Sequence, residues 1–360
     1  MWIENRIFKE DMDEIVHAPY LSWGAFKGKV IFVTGATGLI GFNLVSALLY
    51  AGEIHHLGLK VLALVRSKKK AENRFHEILA AGLPLEFVEG TLTDIPSVEG
   101  NIDFIIHGAS PTASRYFAEH PVETIQDNFT GASRLLELAK AKRTESTLFL
   151  SSMEVYGNLH RQEKVDETHE CFIDTMNPRS SYPEVKRMIE ALFASYAAEY
   201  HVPAKVIRLT QTFGTGIRED ENRVFAQFMR SAMAGNDIIL LTKGGTRHSY
   251  LYTADAVTAI LTVLLKGQAG EAYNAANEST YGSIREMAEA VSSLPLVTKH
   301  TGKKPAVKIQ MSPETARLYP PELYMDLDTS KLRTLGWKAE RNLKEMFERM
   351  IQTCYLTVDK

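Results

Sequence analysis

The sequence predicts an α/β fold in which a doubly wound parallel sheet has helices on both faces, followed by a smaller α+β unit. From Gly28 onwards, short continuous apolar runs alternate with longer segments of helical periodicity, as in "KVIFVTG" followed by "GFNLVSALLYAG". Strands that are buried on both faces form continuous apolar runs, whereas helices repeat their apolar residues every three or four positions. Beyond about Phe213 this alternation stops, which indicates a second unit.

The elements of the first unit follow in chain order. The predicted strands are "KVIFVTG", "KVLALVR", "LEFVEG", "DFIIHGAS", "STLFLSS" and "AKVIRLT". The predicted helices are "GFNLVSALLYAG", "RFHEILAAG" and "VETIQDNFTGASRLLELAKAK", with later ones near "VFAQFMRSAMAG" and over about 343–354. We expect an extension over 1–27 that packs on the outside, a first domain over 28–213 to which 250–275 returns, and a second domain over 214–249 and 276–360.

Composition excludes several classes of function. The 360 residues are 45% hydrophobic and 24% charged, and the formal net charge of −3 predicts neither nucleic acid nor a membrane surface as a partner. Cys171 and Cys354 fit neither a disulfide framework nor a metal site, so we expect no metal. The N-terminus lacks the apolar core of a signal peptide, and no apolar run is long enough for a membrane helix, which predicts a cytoplasmic protein.

A glycine-rich loop follows the first predicted strand. In "VTGATGLIG", Gly35, Gly38 and Gly41 lie between a strand and a helix. Glycines permit a tight turn and a close approach of the backbone to phosphate, while the helix N-terminus offers N–H groups to an anion. This position favours a dinucleotide site over glycines that serve turn geometry alone. The expected contact residues are Gly35, Thr37, Gly38, Leu39, Ile40 and Gly41.

The end of the second predicted strand bears on the choice of dinucleotide. An acidic residue usually lies there and bonds the ribose hydroxyls of NAD, but "VLALVR" ends in Arg66. A guanidinium can bind a 2′-phosphate through paired, charge-assisted hydrogen bonds, which favours NADP over NAD. The alternative is a surface arginine with its head in water.

Two segments contain the residue types needed for acid–base chemistry. "LFLSSMEVYG" is a buried strand that ends in Ser152 and Glu154, and "PRSSYPEVKRMIEAL" places Tyr182 and Lys186 on one face of a helix, near its start. A tyrosine needs its pKa of about 10 lowered to act near neutrality, and an adjacent ammonium favours the phenolate. This reasoning predicts Ser152, Tyr182 and Lys186 as catalytic residues, and Glu154 is a further candidate because its carboxylate lies at the same strand end.

Taken together, these motifs resemble the extended short-chain dehydrogenase/reductases of the nucleotide-sugar epimerase/dehydratase family, and within it most closely the UDP-glucuronate decarboxylases. The resemblance covers about 28–350 and rests on "TGATGLIG", "IIHGAS", "DNFTGASRLLELA", "SSMEVYG", "YPEVK", "RLTQTFGTG", "RHSYLYTADAV" and "DTSKLRTLGWKAERNLKE". It implies a Rossmann-type dinucleotide-binding domain, a C-terminal substrate-binding domain, a nucleotide-sugar substrate, and a homodimer formed through helices at about 121–141 and 182–200.

The resemblance also implies roles for individual residues. Ser152, Tyr182 and Lys186 would move a hydride from C4 of the sugar to the nicotinamide and back. Further cofactor contacts are implied for Leu92, Ala109, Ser110 and Asn128, and substrate contacts for Arg115, Met153, Gln211, Val224 and Arg247. Three positions depart from the family's pattern, namely Thr91, where an Asp is common, Met153, where the decarboxylases usually have Ser, and Gln211, where the decarboxylases have Asn. We interpret His107 and His248 as structural residues.

The pair Met153–Glu154 bears on the reaction. Dehydratases of the family have an Asp–Glu pair at these positions, and the Asp protonates the departing hydroxyl. The thioether of Met153 donates no proton, so ordinary 4,6-dehydration is disfavoured and apolar packing is its expected role. We expect decarboxylation of a nucleotide-uronic acid. The alternatives are a C4 epimerase or atypical dehydratase, an NADPH-dependent reductase, and a catalytically silent dinucleotide-binding subunit.

Overall fold

The computed structural model describes residues 4–110, 114–218, 220–311 and 322–355. Its strands are β1 (Val30–Thr34), β2 (Lys60–Val65), β3 (Leu85–Glu89), β4 (Phe104–His107), β5 (Ser146–Ser152), β6 (Lys164–Val165), β7 (Ala204–Leu209), β8 (Gln211–Phe213), β9 (Ile238–Leu240), β10 (Arg247–Tyr252), β11 (Ala272–Ala275), β12 (Asn277–Ser283), β13 (Val307–Ile309) and β14 (Tyr324–Leu327).

Helices connect most of these strands. They are α1 (Arg6–Val16), α2 (Leu39–Ile54), α3 (Lys68–Arg74), α4 (His76–Ala80), α5 (Ser114–Glu119), α6 (Pro121–Lys142), α7 (Ser181–Tyr200), α8 (Val224–Met233), α9 (Thr253–Lys266), α10 (Ile284–Ser292), α11 (Pro295–Thr301), α12 (Ser330–Arg333) and α13 (Leu343–Tyr355). None of the helices in the described ranges combines the length and apolar character that a membrane crossing requires.

The main sheet confirms the predicted parallel, doubly wound architecture. Its seven strands run in the order β11-β7-β5-β4-β1-β2-β3, and every neighbouring pair is parallel. One face packs against α2 and α9, and the other packs against α6 and α7. The strand order reverses between β1 and β4, so a crevice opens beyond their carboxyl ends, where sheets of this kind bind ligands.

A second, mixed sheet lies towards the C-terminal half of the chain. Its strands run in the order β12-β10-β14-β6, β8 pairs with β10, and β10 and β12 are antiparallel. The short strands β9 and β13 form a separate parallel pair. This is the smaller α+β part that the change of texture beyond Phe213 predicts. Because β11 joins the main sheet after this part has begun, the chain crosses between the two parts more than once.

Helix α1 corrects the expectation that the first residues only pack on the outside. Met12 and Ile15 are fully buried in the main core, and so is the carboxylate of Asp11. Asp11 Oδ1 lies 2.7 Å from Arg349 Nη2 of α13, and its Oδ2 accepts a 2.7 Å hydrogen bond from the Tyr252 hydroxyl. Apolar burial on one face of the helix and a satisfied buried ion pair therefore make α1 part of the core.

Candidate active site

The glycine loop between β1 and α2 leaves no room for side chains at two positions. Gly35 has φ +75°, and a Cβ there would lie 2.6 Å from the carbonyl carbon of Gly108. A Cβ on Gly41 would overlap the carbonyl oxygen of Gly35, whereas one on Gly38 would lie 3.3 Å from that oxygen. Helix α2 begins directly after Gly38. Its N–H groups face the loop without a side-chain cap from the described residues, which suits a phosphate group.

A short polar contact joins the ends of β1 and β4 beside this loop. His107 Nδ1 lies 2.8 Å from Thr34 Oγ1, which also accepts a 3.2 Å hydrogen bond from the Ala109 N–H. Burial, together with the nearby charge of Lys186, lowers the pKa of His107 to about 3, so the imidazole is neutral at physiological pH. His107 therefore holds two strand ends together, in agreement with its interpretation as a structural residue.

The remaining predicted cofactor residues lie around the same crevice or at its edge. Ser110 follows Ala109 after β4, and Leu92 packs against Gly131 of α6. Asn128 is buried in α6, where its Nδ2 donates a 2.7 Å hydrogen bond to the Thr124 carbonyl oxygen. Arg66 directly follows β2 and is exposed.

Ser152, Tyr182 and Lys186 meet where β5 ends and α7 begins. The Ser152 hydroxyl lies near the Tyr182 phenol and favours its ionised form by lowering its pKa. Lys186 Nζ donates a 2.9 Å hydrogen bond to the Leu150 carbonyl oxygen and lies 5.5 Å from the centre of the Tyr182 ring. The structure thus brings together the three residues that the sequence singled out from segments about thirty positions apart.

Burial acts against the charged forms of both titratable members of this group. It raises the pKa of the Tyr182 phenol, the negative charge of Glu154 raises it further, and the Ser152 hydroxyl opposes the change. Burial lowers the pKa of Lys186 to about 7, while Glu190 and Glu154 act in the opposite direction. Proton removal from Tyr182 therefore depends on how much positive charge the site keeps.

Glu154 and Met153 lie on the 3-10 turn that follows β5. The Glu154 N–H donates a 3.2 Å hydrogen bond to Ser152 Oγ, and burial raises the pKa of the Glu154 carboxyl. The Met153 thioether accepts a 3.2 Å hydrogen bond from Thr210 Oγ1 and packs at the edge of an apolar cluster. Glu154 thus lies beside Tyr182, and the Met153 side chain packs against apolar residues of the protein.

The structure adds three side chains that the sequence did not single out. Arg179 Nη2 lies 3.3 Å from Glu154 Oε2. Phe117 stacks on the Tyr182 ring with centroids 4.2 Å apart, and the charge of Arg223 also reaches Tyr182, where it favours the phenolate. The available signal was Pro178, which begins a turn three residues before α7 and so directs Arg179 towards the strand end.

Three of the predicted substrate residues, Gln211, Val224 and Arg247, lie on the second sheet and on the helix α8. Gln211 is on β8, and its Oε1 is buried without a hydrogen-bond partner among the described residues. Val224 begins α8, and Arg247 begins β10 with its Nη2 2.9 Å from Glu286 Oε2. The side chain of Arg115 lies outside the described residues. An unpartnered amide oxygen at this position suits a polar ligand.

Two further groups have no catalytic placement. Burial lowers the pKa of His248 to about 4, and its Nδ1 lies 3.2 Å from the Ser249 carbonyl oxygen, as fits a structural residue. Within the part of the chain that the structure describes, no group of three or more His, Cys, Asp or Glu side chains is arranged to hold a metal ion.

Residues 31–276 match the model of the NAD dependent epimerase/dehydratase family. The chain belongs to this family. UDP-glucuronic acid decarboxylase 1 of Danio rerio is 27% identical over 90% of this chain and 72% of its own length. UDP-glucuronic acid decarboxylase 6 of Arabidopsis thaliana is 28% identical over 88% of this chain and 85% of its own length. The protein is therefore an enzyme of the NAD(P)-dependent nucleotide-sugar epimerase/dehydratase/decarboxylase class.

Solved structures of other epimerase/dehydratase proteins have the same fold. A dTDP-glucose 4,6-dehydratase from Bacillus anthracis, in complex with NAD, has a TM-score of 0.72 and 19% identity, and the match covers 92% of this chain and 97% of that one. A UDP-glucose 4-epimerase from Thermotoga maritima, with UDP-glucose, has the same TM-score and identity, and the match covers 92% of this chain and 100% of that one.

Proposed function

We propose that the protein decarboxylates a nucleotide-uronic acid through a 4-keto intermediate. The observation that carries this proposal is the meeting of Ser152, Tyr182 and Lys186 beside the Gly35 loop, with Glu154 next to them. Its support from relatives is the name shared by the two decarboxylases described above. The domain division predicted from the sequence belongs to the same proposal: the main sheet holds the dinucleotide, and 214–249 with 276–360 holds the sugar nucleotide.

The residues of the chain supply the proton transfers and the orientation. A bound nicotinamide would take a hydride from C4 and return it later in the turnover. Tyr182 accepts the proton of the C4 hydroxyl, Ser152 hydrogen-bonds the same oxygen, and the Lys186 ammonium stabilises the phenolate. Once C4 is a ketone, the bond from C5 to the carboxylate breaks, carbon dioxide leaves, and the electron pair of that bond forms an enolate. A proton from water then adds to C5 and restores the C4 ketone, to which the hydride can return.

Met153 favours decarboxylation over dehydration. A 4,6-dehydration needs an acid at the departing hydroxyl, and the thioether of Met153 has no proton to give. It is also already engaged by Thr210 Oγ1 at 3.2 Å. Loss of carbon dioxide requires no such acid. C4 epimerisation needs only the Ser152, Tyr182 and Lys186 set and is the second candidate.

The cofactor and the oligomeric state are further parts of the proposal. Arg66 supports NADP, while the family supports NAD. A homodimer through α6 and α7 is supported by large apolar side chains that are exposed on and beside these helices, namely those of Val122, Ile125, Phe172, Met176 and Met188. Replacing Met188 by a charged residue would dissociate this dimer, which light scattering after gel filtration measures.

Product analysis tests the reaction. The protein is incubated with UDP-glucuronate and with UDP-, GDP-, CDP- and dTDP-hexoses, and each product is weighed by mass spectrometry. Loss of the mass of carbon dioxide supports decarboxylation, and an unchanged mass with a new configuration indicates epimerisation. Loss of water, or a gain of two hydrogens with net consumption of NADPH, would contradict the proposal. Tyr182→Phe controls for a contaminating activity.

A further inference from the structure

Ser151, the neighbour of Ser152, belongs to a buried polar cluster that the reaction above does not use. Successive strand residues point to opposite faces, so the two serines at the end of β5 serve different surroundings. Ser151 Oγ donates a 2.5 Å hydrogen bond to Glu190 Oε1. Glu190 lies on α7, one helical turn after Lys186 and therefore on the same side of the helix.

Arg208 fixes the position of the Glu190 carboxylate. It lies on β7, where it pairs in register with Ser151 of β5. Its Nε lies 3.1 Å from both carboxylate oxygens of Glu190, and its Nη2 lies 2.6 Å from Oε2. The Arg208 side chain is 15% exposed and that of Glu190 is 11% exposed, so water screens this bidentate pair only weakly.

The remaining donor of Arg208 is also satisfied, so the pair has little freedom to rearrange. Nη1 donates a 2.7 Å hydrogen bond to the Tyr156 hydroxyl and a 3.0 Å hydrogen bond to the Glu167 carbonyl oxygen. The Tyr156 hydroxyl in turn donates to Asn274 Oδ1 of β11 at 2.8 Å. A carboxylate held by this network has little freedom to move.

Lys186 is the nearest catalytic group to this carboxylate along α7. Its other titratable neighbours are Tyr182 on the same helix, Glu154 on the turn after β5, and His107 on β4, which is neutral. Burial lowers the pKa of Lys186, and Glu190 is the larger of the two carboxylate influences that raise it. Both carboxylates have a guanidinium partner, Arg179 for Glu154 and Arg208 for Glu190, and Glu190 is also held by the Ser151 hydroxyl.

We propose that Glu190 is a positioning residue of the active site: held by Arg208 and Ser151, its carboxylate keeps the Lys186 ammonium charged while Tyr182 gives up its proton. The catalytic consequence rests on the proposed function. The effect of Glu190 on the charge of Lys186 does not depend on which reaction the protein catalyses.

The titration of Lys186 tests the inference without any substrate. The protein, labelled with 13C at the lysine ε-carbons and saturated with NAD, is titrated by NMR, and Lys186→Met identifies the resonance. Glu190→Gln should lower the midpoint by about one pH unit or more. Glu190→Asp keeps the charge and should stay close to the wild-type midpoint. The control Glu184→Gln removes the carboxylate that faces Arg187 on the same helix and should also leave the midpoint unchanged.

A wild-type midpoint in Glu190→Gln would overturn the inference. If this variant fails to fold because Arg208 loses its partner, the double variant Glu190→Gln/Arg208→Met is compared with Arg208→Met alone, and the difference between their midpoints isolates the effect of the carboxylate. In the active protein, the descending limb of the pH–rate profile should move to lower pH in Glu190→Gln. If the wild-type protein shows no turnover, the proposed function is contradicted. The NMR titration still tests the role of Glu190, because it needs no substrate.

Discussion

Arg179 Nη2 lies 3.3 Å from Glu154 Oε2, next to the phenol of Tyr182. Burial raises the pKa of the Glu154 carboxyl, and the guanidinium is the first of the groups that oppose this change. Arg179 thus helps to keep Glu154 ionised, and this negative charge in turn helps to keep Lys186 protonated. This contact gives a carboxylate in a dry site the positive partner that it needs.

Arg179→Met should move the acid limb of the pH–rate profile to higher pH. Without the guanidinium the pKa of Glu154 rises further, so the carboxylate is protonated, and activity lost, at a higher pH as the solution is acidified. The profile of kcat/KM against pH measures this shift. Arg179→Lys retains a positive charge, so its acid limb should lie between those of the wild type and Arg179→Met. If the acid limb of Arg179→Met coincides with that of the wild type, the protonation of Glu154 is not the cause of that limb.

Arg66→Ala tests the choice of dinucleotide. If the guanidinium binds a 2′-phosphate, the variant should lose about tenfold or more of its affinity for NADP and keep its affinity for NAD. Fluorescence titration with both dinucleotides measures the two affinities. The control is Lys69→Ala, because this exposed lysine follows the same strand at a greater distance. An equal effect on both dinucleotides would mean that Arg66 does not discriminate between them.

Gly38→Ala and Gly35→Ala should separate ligand binding from folding. The added Cβ on Gly38 meets only the Gly35 carbonyl oxygen, at 3.3 Å, so this variant should fold while its methyl group hinders a phosphate. On Gly35 the Cβ would lie 2.6 Å from Gly108 in a backbone with φ +75°, so this variant should lose stability. Thermal unfolding with and without NAD measures both effects. Normal NAD affinity in Gly38→Ala would argue against a phosphate at this loop.

Asp11→Asn should destabilise the protein although Asp11 is far from the chemistry. The substitution removes the buried carboxylate that pairs with Arg349 and leaves the guanidinium the more exposed Glu10 at 3.2 Å; breaking a buried pair typically costs about 3–5 kcal/mol. Urea unfolding measures the free energy of unfolding. The matched control is Arg6→Ala on the same helix, which breaks an exposed 3.8 Å ion pair and should cost less than about 1 kcal/mol. Equal costs would show that α1 contributes little through its buried pair.

The sequence predicted the group of Ser152, Tyr182 and Lys186, because short segments of the chain determine where each of these residues lies. The strand end at Ser152 and the helical spacing of Tyr182 and Lys186 were enough, because a strand end and a helix start at one edge of a parallel sheet leave few arrangements. The glycine loop was predicted for the same reason. The strand order of the main sheet then follows from the family's fold.

Contacts between distant segments could not be predicted in this way. No local pattern shows that Asp11 would reach Arg349, since they are separated by nearly the whole chain and each has a polar side chain that is usually exposed. Phe117 and Arg223 reach Tyr182 from elements whose packing depends on the full tertiary structure. The basic run Lys68–Lys70 resembles a loop in isolation, yet it begins α3, because Ser67 accepts a hydrogen bond from the Lys70 N–H.

The central claim is that Tyr182 and its neighbours direct a hydride from C4 of the sugar to the cofactor. A single turnover of the NAD-loaded protein with UDP-glucuronate deuterated at C4, followed by the fluorescence of reduced nicotinamide, tests it most directly. We predict a transient fluorescence of reduced nicotinamide that forms more slowly with the deuterated substrate and is absent in Tyr182→Phe. Product that forms at the same rate from both isotopic substrates, with no reduced nicotinamide at any time, would contradict it.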